Sequence, residues 1–94
     1  MPSLPEVYEL NWVFFDSSGL NAAAYLPVER LLYLEFHSGE RYRYFDFPPE
    51  QHQDLLAAES KGAYFGQHIR DHFQFERLPH TRRAGSNFSN SLPS

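Results

Sequence analysis

Between Leu31 and Phe47 the chain reads LLYLEFHSGERYRYFDF, two runs whose side chains alternate with period two about a Ser38-Gly39 break. On the first run Leu32, Leu34 and Phe36 share one face and Leu31, Tyr33, Glu35 and His37 the other, the pattern of a half-buried strand. On the second run Tyr42 and Tyr44 oppose Arg41, Arg43 and Phe45. The length of the turn decides which sets meet, because a one-residue slip moves every side chain of a strand to the opposite face. A two-residue loop at Ser38-Gly39 sets Leu34 against Arg43 and Phe36 against Arg41, which forces guanidinium groups onto the apolar face. A three-residue loop, His37-Ser38-Gly39 with the glycine left-handed, sets Leu34 against Tyr42, Leu32 against Tyr44 and Glu35 against Arg41. The pattern therefore predicts the three-residue turn. It also predicts a core face of Leu32, Leu34, Phe36, Tyr42 and Tyr44, and an outer face of Tyr33, Glu35, Arg41, Arg43 and Phe45.

The flanking pattern is weaker. Val7 to Phe15 alternates imperfectly and predicts an added strand whose Trp12 and Phe14 side seeks cover. Asp16-Ser17-Ser18-Gly19 is a turn, since Asp and Ser side chains bond nearby amides. Leu20 to Tyr25 has alanine-rich helical propensity, but its shortness, flanking Gly19 and Pro27, and the hairpin that follows favour a strand. Phe47-Pro48-Pro49-Glu50 starts a helix, because proline suits a first turn that does not use its amide. That helix directs Leu55, Leu56 and His52 toward the sheet and Gln51, Gln53 and Asp54 toward water. Ser60 caps a second helix, Lys61 to Arg70, with an apolar stripe of Tyr64, Phe65, His68 and Ile69. Phe73 to Leu78 alternates again and docks as an extended segment. The expected fold class is α+β: a small antiparallel sheet of three to four strands built on the central hairpin, residues 31–47, and packed on one face by two short helices. The expected division is an N-terminal extension over 1–11, one domain over 12–78, and a disordered tail over 79–94 that is rich in Ser, Asn, Gly and Pro.

Composition narrows the function. A chain of 94 residues forms one domain with a modest core, and without cysteine it relies on its 17% aromatic content or on association. No disulfide framework or thiolate metal site is available, which fits a reducing compartment. No apolar run reaches the length of a membrane span, and the first residues lack the basic and apolar parts of a signal peptide, so the expectation is a cytoplasmic protein with no membrane partner. The net charge of −4 arises within residues 12–78; the −2 of the N-terminal extension is offset by Arg82 and Arg83 in the tail. Nucleic-acid binders draw affinity from neutralising phosphates, so this balance argues against tight nucleic-acid binding while allowing a local patch.

One spaced set of residues carries a family signature. It comprises Ser17-Ser18, Tyr25, Leu32, Leu34, Phe36, Ser38-Gly39, Tyr42-Arg43-Tyr44, Phe47-Pro48-Pro49, Leu55-Leu56, Ala58, Ser60-Lys61-Gly62, Tyr64-Phe65 and Ile69-Arg70. From Asp16 to about Leu78 the chain thereby resembles a KTSC domain, a short module found alone in bacterial proteins and at the C-terminus of some lysyl-tRNA synthetases. The resemblance implies a small α+β fold, and its synthetase context suggests RNA binding. Two positions depart from the family pattern: Gly66 follows Tyr64-Phe65 where Asn is frequent, and Gly19 follows the paired serines where Asn is frequent. A ligand site built on those two amides is weakened here, whereas a structural role for the turn and the helix survives.

Four clusters are candidates for chemistry. Tyr33, Arg41, Arg43 and Phe45 form a candidate RNA or partner surface on the outer sheet face, against which stands cover by Trp12 and Phe14 or a homo-oligomer contact. Ser60, Lys61, Tyr64 and Arg70, with Arg77, form a candidate anion pocket around the second helix start, against which stands simple capping and surface charge. His68 and His72 have metal-ligand spacing but no third ligand at suitable spacing, so no metal is expected. Ser17-Ser18 has no evident base and reads as a turn rather than a nucleophile. The expectation is a non-catalytic interaction module without a cofactor, self-associating through the outer sheet face or the N-terminal strand. The alternative is a weak RNA-binding accessory domain.

Overall fold

The computed structural model describes residues 9–17 and 19–79. Five strands form one antiparallel sheet in chain order: β1 (Val13–Phe14), β2 (Leu20–Leu26), β3 (Leu31–Phe36), β4 (Arg41–Tyr44) and β5 (Phe75–Leu78). Two helical segments lie between β4 and β5. They are α1 (Pro49–Ala57) and α2 (Lys61–Tyr64), the latter continuing as a π-helical turn over Phe65–Ile69. The sheet has one strand more than the upper expectation, because the alternating segment after Phe73 returns from the helices and pairs along β4, with Tyr44 opposite Phe75 and Arg41 opposite Leu78. The expected tail lies outside the described residues beyond Pro79.

The central hairpin has the register that parity requires: Leu32 faces Tyr44, Leu34 faces Tyr42 and Glu35 faces Arg41. Its turn is closed by the Phe36 amide on the Glu40 carbonyl at 2.9 Å and the Gly39 amide on the Phe36 carbonyl at 2.8 Å. Gly39 has φ 93°, a conformation that the missing Cβ makes accessible. Leu32, Leu34, Phe36, Tyr42 and Tyr44 consequently face the helices, where they meet Leu55, Phe65 and Ile69.

Local signals set the helix boundaries. Pro48 is extended before α1, Pro49 occupies its first turn, and Glu50 lies near its positive end. Leu55 is fully buried, and the His52 ring stacks on Tyr25 with centroids 4.4 Å apart. Ser60 Oγ accepts the Ala63 amide at 3.1 Å, the expected cap. The second helix is not α-helical to its end, since the Arg70 amide donates to the Phe65 carbonyl across the wider π turn. Phe65 and Ile69 are buried against the sheet on that turn, and Gly66, Gln67 and His68 face solvent.

A second, smaller core covers the outer sheet face. Leu10, Ala24, Leu31, Tyr33 and Leu78 are buried together, with Trp12, Leu26 and Phe45 packed against them. Ala22, Ala23 and Ala24 leave β2 thin enough to be buried on both faces. The expected cover by Trp12 is present and Leu10 joins it. Phe14 does not: it sits on the outermost strand opposite Ala22 and is 70% exposed.

Candidate functional site

Tyr33, Arg41, Arg43 and Phe45 do converge on one face, as strand parity requires, but the face is closed. Tyr33 is only 1% exposed, enclosed with Leu10 and Leu78, so the expectation that its ring could stack on a base is corrected. Arg41 Nε donates to Glu35 Oε1 at 3.0 Å, and the same carboxylate accepts from Asn21 Nδ2 at 2.6 Å. The Arg41 guanidinium lies 5.8 Å from the Trp12 ring centroid. Arg43 pairs with Glu76, donates to the Tyr33 hydroxyl at 3.3 Å, and stacks against both Tyr33 and Phe45 at 5.8 Å. These cations hold the sheet together across strands β3, β4 and β5, and their charge is balanced in place.

The candidate anion pocket does not assemble. Ser60 is occupied by its capping bond, and Lys61 Nζ donates to the Ala58 carbonyl while lying over Phe15 at 5.4 Å. Tyr64 packs on His68, centroids 4.5 Å apart, and Arg70 lies over Phe65 at 5.8 Å. The physical reason is length: at a rise of about 1.5 Å per helical residue, Arg70 is more than about 10 Å along the axis from Ser60. Ser60 and Lys61 border a hollow beside β1 with a volume of about 720 Å³, and Arg70 borders a different groove. Arg77 is also elsewhere, bonded to Glu40 Oε2 at 2.8 Å. His72 donates to the Gln67 carbonyl at 3.1 Å, and among the described residues no three His, Cys, Asp or Glu side chains converge on a metal-sized site.

Sequence reasoning missed the groove that Arg70 borders. It has a volume of about 400 Å³ on the helix side of the sheet, between the π turn and the β4–β5 edge. Phe36, Tyr42, Tyr44, Phe65 and Phe75 form its walls. Their rings contact edge-to-face or tilted: Phe36 on Phe65 at 5.1 Å, Tyr44 on Phe75 at 5.5 Å, and Tyr42 on Phe75 at 5.7 Å. Burial pushes the Tyr44 phenol up to about 12, with Tyr42 adding to the rise and Arg70 opposing it, so Tyr44 is a neutral hydroxyl at physiological pH. Glu40, Arg70 and Asp71 supply the charge on the rim. Glu40 is held by the Tyr42 hydroxyl at 3.1 Å and by Arg77, whereas Arg70 and Asp71 have no ion pair among the described residues. The signal for this groove is an imbalance along the chain: the core face of the sheet carries more aromatic surface than two short helices cover.

The third notable surface is the β1 edge. Val13 is 49% exposed and Phe14 70%, on a strand that pairs on one side only among the described residues. No described helix is long and apolar enough to cross a membrane.

This architecture recurs in known proteins. A KTSC domain protein from Yersinia pestis superposes with a TM-score of 0.72 at 27% identity, over 74% of this chain and 99% of that one. A protein from Tsukamurella paurometabola is 42% identical over 59 residues, 63% of this chain and 88% of its own length. A lysine–tRNA ligase from a Nostoc species is 40% identical over 63 residues; the match spans 67% of this chain and 11% of that enzyme. The sequence pattern of the KTSC domain matches residues 16–73, more than half of the chain, and the chain belongs to the KTSC domain family.

Proposed function

We propose that this KTSC domain is a non-catalytic interaction module that self-associates through β1. The observation that carries the reading is the exposure of both side chains of an edge strand, Val13 and Phe14, next to a backbone edge that is open among the described residues. Such edges pair with a further strand unless something covers them. A two-fold related copy offers the same edge, so β1 against β1 makes a closed, isologous dimer. The expected alternative, association through the outer face, has less support because Leu10 and Trp12 occupy that face.

The magnitude points to a weak dimer. Completing the burial of Val13 and Phe14 is worth roughly 1–2 kcal/mol per side chain, against an association cost of about 4–15 kcal/mol. Backbone pairing along two residues adds little, so the four side chains of a dimer leave a net gain of at most about 4 kcal/mol and dissociation is no tighter than about the millimolar range. Sedimentation velocity over a concentration series tests this. The expected result is a monomer–dimer equilibrium that Phe14→Glu abolishes, and a monomer at every concentration refutes the proposal.

A second reading, a weak RNA-binding accessory domain, is favoured by one observation: a relative at 40% identity is named a lysine–tRNA ligase, an enzyme that acts on tRNA. On that reading a labelled single-stranded RNA binds at low ionic strength with a steep salt dependence, and Arg43→Glu abolishes binding. Absence of salt-sensitive binding refutes it.

A further inference from the structure

The sheet has a second open edge among the described residues, β5, and the aromatic groove runs beside it. We propose that β5 and the groove together bind an extended segment of a partner protein. The segment adds a strand alongside Phe75–Leu78 and sets one aromatic side chain into the groove. A single acidic residue two positions away meets Arg70.

Three observations carry this. Phe75 belongs to both features: it begins the edge strand, it lines the groove, and it is 51% exposed although its ring contacts Tyr42 and Tyr44. Apolar lining with a few polar groups is the ordinary make-up of a binding cleft, and about 400 Å³ suits a large side chain with its neighbours, not a helix. Edges are commonly guarded by free charges, yet Glu76 is paired with Arg43 and Arg77 with Glu40, so the charges of β5 are already engaged within the sheet.

The spacing follows from strand geometry. Phe75 and Arg77 point to the helix side and Glu76 and Leu78 to the outer side, so an added strand presents every second residue to the groove. Arg70 is the cationic side chain lining the groove, and the Glu40 carboxylate on the same rim is already held by Arg77 and Tyr42, so Arg70 is the group that meets an incoming carboxylate. Asp71 beside it disfavours an acid-rich partner.

The test uses the full chain carrying Phe14→Glu, so that association at β1 does not interfere, and a fluorescein-labelled peptide Lys-Thr-Thr-Phe-Thr-Glu-Thr-Lys. Fluorescence anisotropy gives affinity and amide chemical shifts locate the site. The expected result is saturable binding with shifts at Phe75–Leu78, weakened at least about tenfold by Phe75→Ala and by Arg70→Glu. The Arg70→Glu loss is recovered when the peptide glutamate becomes lysine. Arg70 is exposed, so its variant keeps the test decisive even if Phe75→Ala disturbs the fold. Any of four results overturns the proposal: no shifts at Phe75–Leu78 at about 1 mM peptide, where even weak segments bind measurably; binding indifferent to both variants; outward β5 amides already protected from exchange in the free chain, which assigns the edge to the protein's own residues; or shifts there that grow with protein concentration without peptide, which assigns it to a second copy.

Discussion

Replacing Tyr33 by alanine separates a core residue from a stacking residue on the outer face. Tyr33 is 1% exposed and packs with Leu10, Leu31 and Leu78. Truncating a buried aromatic costs about 3–5 kcal/mol, whereas an exposed side chain free of such contacts changes stability by no more than about 0.5 kcal/mol. The hydroxyl adds a smaller part, because it accepts from Arg43 Nη1 at 3.3 Å, so Tyr33→Phe should cost about 0.5–1.5 kcal/mol. Against a total of about 5–15 kcal/mol for a domain of this size, the alanine variant loses a large fraction of its stability. Urea unfolding followed by the fluorescence of Trp12, the single tryptophan, is a direct assay because that ring packs on the same cluster. Leu10→Ala should cost about 2 kcal/mol, and the double variant should fall short of the sum by about 0.5–3 kcal/mol, since the two side chains share one core. A Tyr33→Ala loss under about 1 kcal/mol, or strict additivity with Leu10→Ala, refutes the claim that this face is closed.

Four further outcomes follow from local geometry. Ser60→Ala removes the acceptor of the Ala63 amide and should cost about 1 kcal/mol by thermal unfolding, a fall in Tm of about 4–8 °C. Gly39→Ala places a Cβ at φ 93° and should cost about 1–2 kcal/mol in the same measurement. Arg30 sits at φ 58° in the β2–β3 turn, so Arg30→Asn, a residue better suited to that region, should raise Tm. Burial lowers the His52 pKa below its ordinary 6.5, so the unfolded chain binds the proton more readily. Its contribution is therefore full above pH 6.5 and is lost as pH falls through the depressed folded value; His52→Gln should show a shallower loss of stability between pH 7.5 and 5.

What could be read from the chain was whatever depended on parity or on local punctuation. The hairpin register followed because only one turn length keeps Arg41 and Arg43 off the face that carries Leu34 and Phe36. Pro48-Pro49-Glu50 and Ser60 marked the helix starts because capping and proline geometry act within one turn. The fifth strand was visible only as an alternating segment, since its partner lies across two helical segments. The π turn has no local signal, and of the expected apolar stripe of Tyr64, Phe65, His68 and Ile69 it buries Phe65 and Ile69, leaves Tyr64 half-buried and turns His68 to solvent. The anion pocket failed because sequence proximity around a helix start was allowed to stand for spatial proximity, and the helix axis carries Arg70 away. The aromatic groove needed knowledge of how little of the sheet the helices cover, which is a tertiary quantity.

The distribution of ion pairs bears on where a partner can act. On the outer face Arg41 and Arg43 each hold a carboxylate from a neighbouring strand, and Arg41 also faces Trp12. Each pair is worth only about 0–1 kcal/mol at such exposure, so energy alone does not prevent a phosphate from displacing a glutamate. Competition weighs against it: Glu35 and Glu76 are tethered beside their partners at an effective concentration in the millimolar range or above, while an RNA phosphate arrives from dilute solution and gains no open ring from the buried Tyr33. The same logic favours the edges. At β1 and β5 the backbone groups facing outward have water as their competitor among the described residues, and Phe14 and Phe75 gain burial on contact. A partner that extends the sheet thus displaces solvent where one that binds the outer face must displace the protein's own carboxylates.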